Sequence, residues 1–397
     1  MTGFLDEVRV LDLTQGSAGP ACTKLLADWG ADVIKIERPV DGDAARSWPP
    51  FVADQPGPDR SLDFLYLNGN KRSITLNLKA PEARSPFEAL VRWADIVVES
   101  YQPATAEALG LTYERISQVN PSVVMVSISS FGKFGPYRDY QSTSIVEYAI
   151  SGLMYHIGEY NDEPLVHGVP QGEYIAAINA ANGAIAGLLY SEETGEGQHV
   201  DVSIMDCLAM TQSVADMSAY SYAGGIVGRT PPHPGLNHLM ACADGYIVPI
   251  ARQEWEMLAA FLDAPKLLEE RFLGDNQRFR LADEVDAILH DRFSRRSRYE
   301  LFHGAQALGL IFGVVQDIAD LDRCPQLAYR DYWIEMDHPE AGHLRYPGAP
   351  FRASESIPAA PCNAPTLGQH NEEVLQDLLG FRLDDLALAG ALSADQA

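Results

Sequence analysis

Along the first 130 residues, short apolar runs alternate with stretches of helical period. Residues 8–13 (VRVLDL), 32–37 (DVIKIE), 73–78 (SITLNL), 95–99 (DIVVE) and 123–129 (VVMVSIS) are β-rich runs of strand length. Pro20 suits the first turn of a helix reaching Trp29, and residues 81–93 carry a second helical pattern. Strands and helices in this rhythm predict an α/β fold with a parallel, doubly wound sheet. Residues 38–72 read as one long loop rich in Pro, Gly and Asp, and loops of that length usually serve function.

The middle of the chain changes character. Residues 174–190 (YIAAINAANGAIAGLLY) predict a deeply packed helix, because small side chains let backbones approach closely. A tight turn at 194–197 leads into an alternating segment, 198–203, with Val200 and Val202 on one face. Glycine and proline accumulate at 224–234 and mark a linker; an apolar run at 245–250, a helix at 253–262 and a basic run at 292–298 follow. The chain then regains Pro/Gly loops and ends in a helix at 371–379. The expected organisation is a large domain from 1–222, a smaller α/β domain from 223–325, and a return to the large domain over 326–397.

Hydrophobic residues make up 46 % of the 397, enough to build a sizeable core. No apolar run has the length of a membrane-spanning helix, and the first seven residues carry acid where a signal peptide carries base, which predicts a cytoplasmic location. The five cysteines (Cys22, Cys207, Cys242, Cys324 and Cys362) are scattered without a C-x-x-C, so neither disulfides nor a zinc site is expected. The formal charge of −26 repels phosphate backbones and argues against nucleic-acid partners. In so acidic a chain, a local basic cluster stands out.

Three candidates for chemistry emerge. The turn Gly16-Ser17-Ala18-Gly19-Pro20 opens the first helix, as phosphate-binding turns do, and Glu37 ends the second strand where dinucleotide folds keep a ribose-binding acid. The G-x-G-x-x-G spacing is missing, so a nicotinamide or flavin site is not expected. Lys35, Arg38, Arg46, Lys71 and Arg72 form a basic group at strand ends and in the long loop, suited to a phosphorylated ligand or to a plain solvated face. Glu173 stands at the N-terminal end of the small-residue helix, where a carboxylate serves equally as a helix cap or a reactive group. His167 and His199 read as structural, His233 and His238 lie in a proline-rich turn, and no metal-ligand spacing is present.

Taken together, these segments resemble the class III CoA-transferases of the CaiB/BaiF type, the group of formyl-CoA:oxalate and carnitine CoA-transferases. The matching blocks are residues 8–39, Asn70-Lys71-Arg72-Ser73, ADIVVESYQP at 94–103 and FGKFGPYRDY at 131–140. TGEGQHVDVSIMD at 194–206 is the strongest, and YPGAPFRASESIP at 346–358 and LGQHNEEVL at 367–375 extend the likeness to the end. The resemblance implies a Rossmann-like large domain built from both chain ends, a small middle domain, and two subunits threaded as linked rings. It places CoA near Ser17, Ala18, Arg38, Asn70, Lys71, Arg72, Ser100, Tyr101, Ser129, Phe131 and Gly132.

It also implies the chemistry. CoA passes from an acyl-CoA donor to a free carboxylic acid through a carboxylate nucleophile, by way of a mixed anhydride and an enzyme–CoA thioester. CoA thioester is then substrate, with no resident cofactor. The family's nucleophile is aspartate; this chain has Glu173, whose extra methylene extends the group by about 1.5 Å. Ser144 sits where many members have aspartate, and Ala108 where the oxalate enzymes keep a CoA-contacting arginine. Thr143 takes the place of the histidine of the related racemases, which disfavours two-base racemisation. The alternatives are an acyl-CoA isomerase or related enzyme with Glu173 as general base, and a non-catalytic CoA-binding homologue.

Overall fold

The structure, a computed structural model, describes residues 3–212, 214–226, 228–229, 239–250, 254–355 and 361–393. Residues 227 and 230–234 of the expected linker, with His233 and His238, lie outside the described residues.

The apolar runs of the first half become β1 (Arg9–Leu13), β2 (Asp32–Glu37), β3 (Lys71–Thr75), β4 (Ile96–Glu99) and β5 (Val124–Ser129). The alternating segment after the small-residue helix becomes β6 (Gln198–Ser203). All six pair in parallel in the order β3-β2-β1-β4-β5-β6. This is a doubly wound order, and its direction reverses between β1 and β4, the place where such sheets form a ligand crevice.

Strand residues alternate between two cores, as a period of two requires. Val10, Val33, Val98, Val124 and Val126 face one, packed with α1 (Ala18–Asp28). Leu11, Leu13, Ile34, Ile36, Val97 and Met125 face the other, beneath α2 (Arg84–Trp93). Both faces are covered, which is why the strands read as nearly continuous apolar runs. The predicted helix at 81–93 opens with a 3₁₀ turn, Pro81–Ala83, before α2.

Three further helices shape the crevice: α3 (Ser144–Ile150), α4 (Gln171–Thr194) and α5 (Ile204–Met210). The helix α4 starts three residues before the stretch 174–190 predicted from its small side chains. Ala176, Ala177, Ala180, Ala181 and Ala184 are buried against the first core. A Cβ at Gly183 would stand 2.7 Å from Val200 Cγ1, and one at Gly187 2.7 Å from Val124 Cγ1. Here the glycines bring α4 onto the sheet.

β3 begins two residues before the predicted 73–78 and ends at Thr75; Lys71 and Arg72, read as the end of the Pro/Gly/Asp-rich loop, are its first residues. The C-terminal segment returns to this edge. His370 Nδ1 accepts the Ser73 amide at 3.1 Å, Asn371 Oδ1 accepts that of Thr75 at 2.8 Å, and Val374 and Leu375 enter the second core. The final predicted helix is a wide, π-type segment, Glu372–Leu378.

The chain divides into two compact units. One comprises Met1–Ile157, Pro164–Val227 and Asp331–Ala397; the other comprises Gly158–Glu163 and Gly228–Arg330. No pattern in the sequence had assigned 158–163 to the second unit. That unit carries a three-stranded antiparallel sheet, β7 (Met240–Cys242), β8 (Gly245–Ile250) and β9 (Ile311–Val314). Its core holds Trp255, Leu267, Phe272, Leu289, Phe293 and Phe312. From its basic run, Arg298 pairs with Asp320 at 2.8 Å. No helix among the described residues is long and apolar enough to cross a membrane.

Candidate active site

The turn after β1 is hung on buried charge. Lys35 Nζ donates to Thr14 O at 2.8 Å and pairs with Asp43 at 2.8 Å, while Asp43 Oδ1 accepts the Gly16 amide at 3.0 Å. Asp12 accepts both the amide and the hydroxyl of Thr14 and pairs with Lys71 at 3.0 Å. Burial pushes the Asp12 carboxyl up, but Lys35, Lys71 and the hydroxyls of Thr14 and Thr23 outweigh it and hold it well below the usual range. Burial brings the Lys71 ammonium down to about 8. Gly16 has φ +79°, with the Trp48 ring 3.1 Å from where a Cβ would be, so no other residue fits the turn without strain.

This turn forms one wall of a cavity of ≈490 Å³ at the carboxyl ends of the strands. Its other walls are Ser100 after β4, Ser129 and Ser130 at the end of β5, Ser142, and Glu173. Gln15 binds the walls together: its amide donates to Ser100 Oγ at 3.1 Å and its side chain bonds Tyr101. Glu173 sits in the first turn of α4, half-buried. Its Oε1 accepts the hydroxyl of Ser144, from the first turn of α3. Among the described residues, its Oε2 is buried without a hydrogen-bond partner, as is Ser129 Oγ. A carboxylate with one oxygen held and the other free, in a cavity edged with hydroxyls, is arranged to attack an electrophile.

The cavity thus unites Ser17, Ala18, Ser100, Ser129 and Glu173 from the sequence expectation. Arg38 and Tyr101 line a neighbouring cavity of ≈520 Å³, which shares Gln15 with the first. Phe131 and Gly132 lie in the loop beyond β5, where Phe131 packs edge-on against Tyr137 at 6.0 Å.

Three expected residues stand elsewhere. Lys71 is 3 % exposed and spent on Asp12, Pro20 O and Asn68. Arg72 is held by Asp32 and Glu373 at the starting edge of the sheet, opposite the crevice. Asn70 adopts φ +64°, bonds Asp28 and the Cys362 amide, and lines a separate hollow of ≈50 Å³. The basic group also loses Lys35 and Arg46, since Arg46 is clasped by both oxygens of Glu37 at 2.7 and 2.8 Å. That clasp occupies Glu37, the expected ribose acid, together with Ser73 Oγ at 2.6 Å. Of the five cations, Arg38 alone faces the crevice.

Residues that sequence reasoning missed take their place. Asn77 and Lys79 join Arg38 in the second cavity, and Gln15, Trp48 and Ser142 join Glu173 in the first. Neither Arg38 nor Lys79 forms an ion pair among the described residues. The position of Lys79, directly after the strand read over 73–78, was the available signal.

The histidines pack as structural groups. His199 Nε2 meets Ser127 Oγ at 2.9 Å and its ring stacks on Tyr113 at 5.8 Å; His167 Nδ1 meets Tyr148 OH at 3.1 Å. Among the described residues, no cluster of three or more His, Cys, Asp or Glu could hold a metal ion.

Comparison with known proteins bears on the chain as a whole. The model of CoA-transferase family III matches residues 5–371. The chain belongs to this family. It is 31 % identical over 401 residues to the human succinyl-CoA:glutarate CoA-transferase, covering 98 % of this chain and 89 % of the relative. It is 34 % identical to the succinyl-CoA:mesaconate CoA-transferase of Haloarcula marismortui, covering 94 % and 96 %. A crystal structure of a CaiB/BaiF family protein from Brucella suis superposes with a TM-score of 0.86 at 26 % identity, covering 95 % of this chain and all of the other. The protein is therefore an enzyme that transfers CoA.

Proposed function

We propose that this family III enzyme moves CoA from an acyl-CoA donor to a free carboxylic acid with Glu173 as the nucleophile. Oε2 attacks the thioester carbonyl, the C–S bond breaks, and CoA thiolate leaves a mixed anhydride on Glu173. The thiolate then attacks the glutamyl carbonyl and releases the donor acid, so that Glu173 carries CoA as a thioester. The acceptor carboxylate attacks that thioester, giving a second anhydride and free thiolate. Attack of the thiolate on the acceptor's acyl carbon yields the new acyl-CoA and restores the Glu173 carboxylate.

The unpartnered Oε2 of Glu173, a residue lining the cavity at the carboxyl ends of the strands, carries this reading. Ser129 and Ser142 supply hydroxyls for the developing oxyanion. Arg38 and Lys79, across Gln15, are cations for the CoA phosphates. Ser144 explains how a glutamate works where the family has aspartate. The longer side chain is taken up by the Ser144 hydroxyl, whereas the family's aspartate at that position would set two carboxylates face to face.

Succinyl-CoA is the donor to test first, since relatives are named for it. Incubation with succinyl-CoA, followed by mass spectrometry, will find CoA on Glu173. Absence of the adduct together with intact transfer in Glu173→Gln would reject the proposal; deuterium entering the α-carbon without CoA exchange would assign Glu173 the role of base instead. The active form in this proposal is the linked-ring homodimer. The outward side chains Ile178, Leu189 and Tyr190 on α4 and Met210 on α5 offer apolar surface for a second copy. Sedimentation at the mass of two chains checks this.

A further inference from the structure

Glu147 lies in the first turn of α3, three residues after the Ser144 that holds Glu173, and is only 4 % exposed. α3 packs directly against α4, which carries Glu173. Ser130 and Ser142 act on the Glu147 carboxyl and both line the Glu173 cavity, while the Ser142 hydroxyl donates to Thr143 O at 3.3 Å. The side chain thus stands immediately behind the serine wall of the site.

Among the described residues, no ion pair is made to Glu147. The basic residues of the adjoining loop are engaged elsewhere, Lys133 by Glu99 and Arg138 by Glu107. Of the elements packed on α3, α5 carries Asp206 and Cys207, the turn Leu153–His156 carries Tyr155 and His156, and α4 brings Glu173. Glu173 is the charge that acts on Glu147. A carboxyl group buried without a cation and close to a second carboxylate favours its neutral form. Burial pushes Glu147 up from the ordinary glutamate value, the charge on Glu173 adds to this, and Ser130 and Ser142 offset only part.

We propose that Glu147 keeps its proton and acts as a positioning residue, a neutral acid that braces Ser130 and Ser142 and leaves Glu173 the single carboxylate of the site. The proposal rests on the role given to Glu173 above. Its consequence concerns the acceptor, which arrives as an anion. A second negative charge behind the serine wall would repel that anion and tie up Glu173 as its conjugate acid, so an ionised Glu147 opposes the reaction twice.

Infrared titration of the full-length protein without substrate tests the protonation state. The expected result is a neutral-acid C=O band that persists above the ordinary glutamate range and is missing in Glu147→Gln. In Glu173→Gln the midpoint of that band falls to lower pH, because the charge on Glu173 is gone. In transfer assays, kcat/KM of the wild type declines as pH rises through the same midpoint, and Glu147→Gln, which copies the neutral acid, lacks the decline. A band that survives Glu147→Gln, a midpoint indifferent to Glu173→Gln, or an unchanged alkaline decline in Glu147→Gln each overturns the proposal. The infrared comparison of wild type with Glu173→Gln decides the matter even if Glu147→Gln does not fold. A protein with no transfer activity would remove the role of Glu173, while the spectrum would still report the state of Glu147.

Discussion

Ser144 donates its hydroxyl hydrogen to Oε1 of Glu173, and Oε2 of the same carboxylate is left without a partner. The serine fixes which oxygen is presented to substrate. A hydrogen bond to a charged group is worth about 1.5–3 kcal/mol, so Ser144→Ala is expected to lower kcat by roughly tenfold to a hundredfold, with KM for the thioester little changed. Steady-state kinetics with succinyl-CoA checks the split. Ser144→Asp sets a like charge beside Glu173, raises its proton affinity, and moves the acid limb of the pH–rate profile to higher pH.

Glu173→Asp keeps the carboxylate but draws it back by about one C–C bond and away from Ser144. Misplacement of a reacting group by ~1 Å can cost about 10²-fold, and a kcat loss of that order is expected. The CoA adduct should still form, more slowly, which rapid-quench mass spectrometry will show. An unchanged kcat would mean that Ser144 does not set the geometry.

Arg38 and Lys79 line the second cavity without acid partners among the described residues, whereas Arg72 is tied to Asp32 and Glu373. Arg38→Ala and Lys79→Ala should each raise KM for the CoA thioester by about tenfold, the loss of one charge-assisted bond of ~1.4 kcal/mol. Arg72→Ala should leave KM where it is. Kinetics at two salt concentrations discriminate, because added salt will erode the wild-type advantage.

Most of the sheet was legible in the sequence because strands covered on both faces need apolar residues at nearly every position. Glu173 was singled out only by the family resemblance, because an acid at the head of a helix serves equally well as a cap. The cations were not legible. A lysine or arginine in a sequence carries no mark of the acid it will meet, and Lys71 meets Asp12 from 59 positions away. Arg46 is buried by Glu37 and Asp59 in the same way. The serines of the cavity were silent as well, since a hydroxyl acquires meaning only from the strand end that aims it.

Lys71 gives the folded protein a distinct pH signature. Its ammonium is brought down to about 8 from the ordinary 10.5, so across that window the unfolded chain binds more protons than the native one. The contribution of Lys71 to stability therefore rises as pH climbs from 8 to 10.5. Urea denaturation at stepped pH will show this rise, and Lys71→Met will flatten it. A contribution that fell over the same interval would mean that Asp12 raises the lysine more than burial lowers it.

Gly183→Ala places a methyl group 2.7 Å from Val200 Cγ1. Overpacking of this kind destabilises by ~1–3 kcal/mol, and because the same helix carries Glu173, activity should fall along with the denaturation midpoint. Ala at Gly195, where no atom lies within 4 Å but φ is +76°, is the control for backbone strain alone.

The first unit is closed by its own tail: Val374 and Leu375 sit in the core beneath β2 and β3, and His370 and Asn371 satisfy the amides of Ser73 and Thr75. During synthesis, the strands leave the ribosome roughly 300 residues before the segment that covers them, at a pace of about 5–20 residues per second. The nascent sheet therefore waits for tens of seconds with Ile74 uncovered. Holdase chaperones will find it in that interval, and termination before Val374 yields a chain that lacks the cover of its first-made strands.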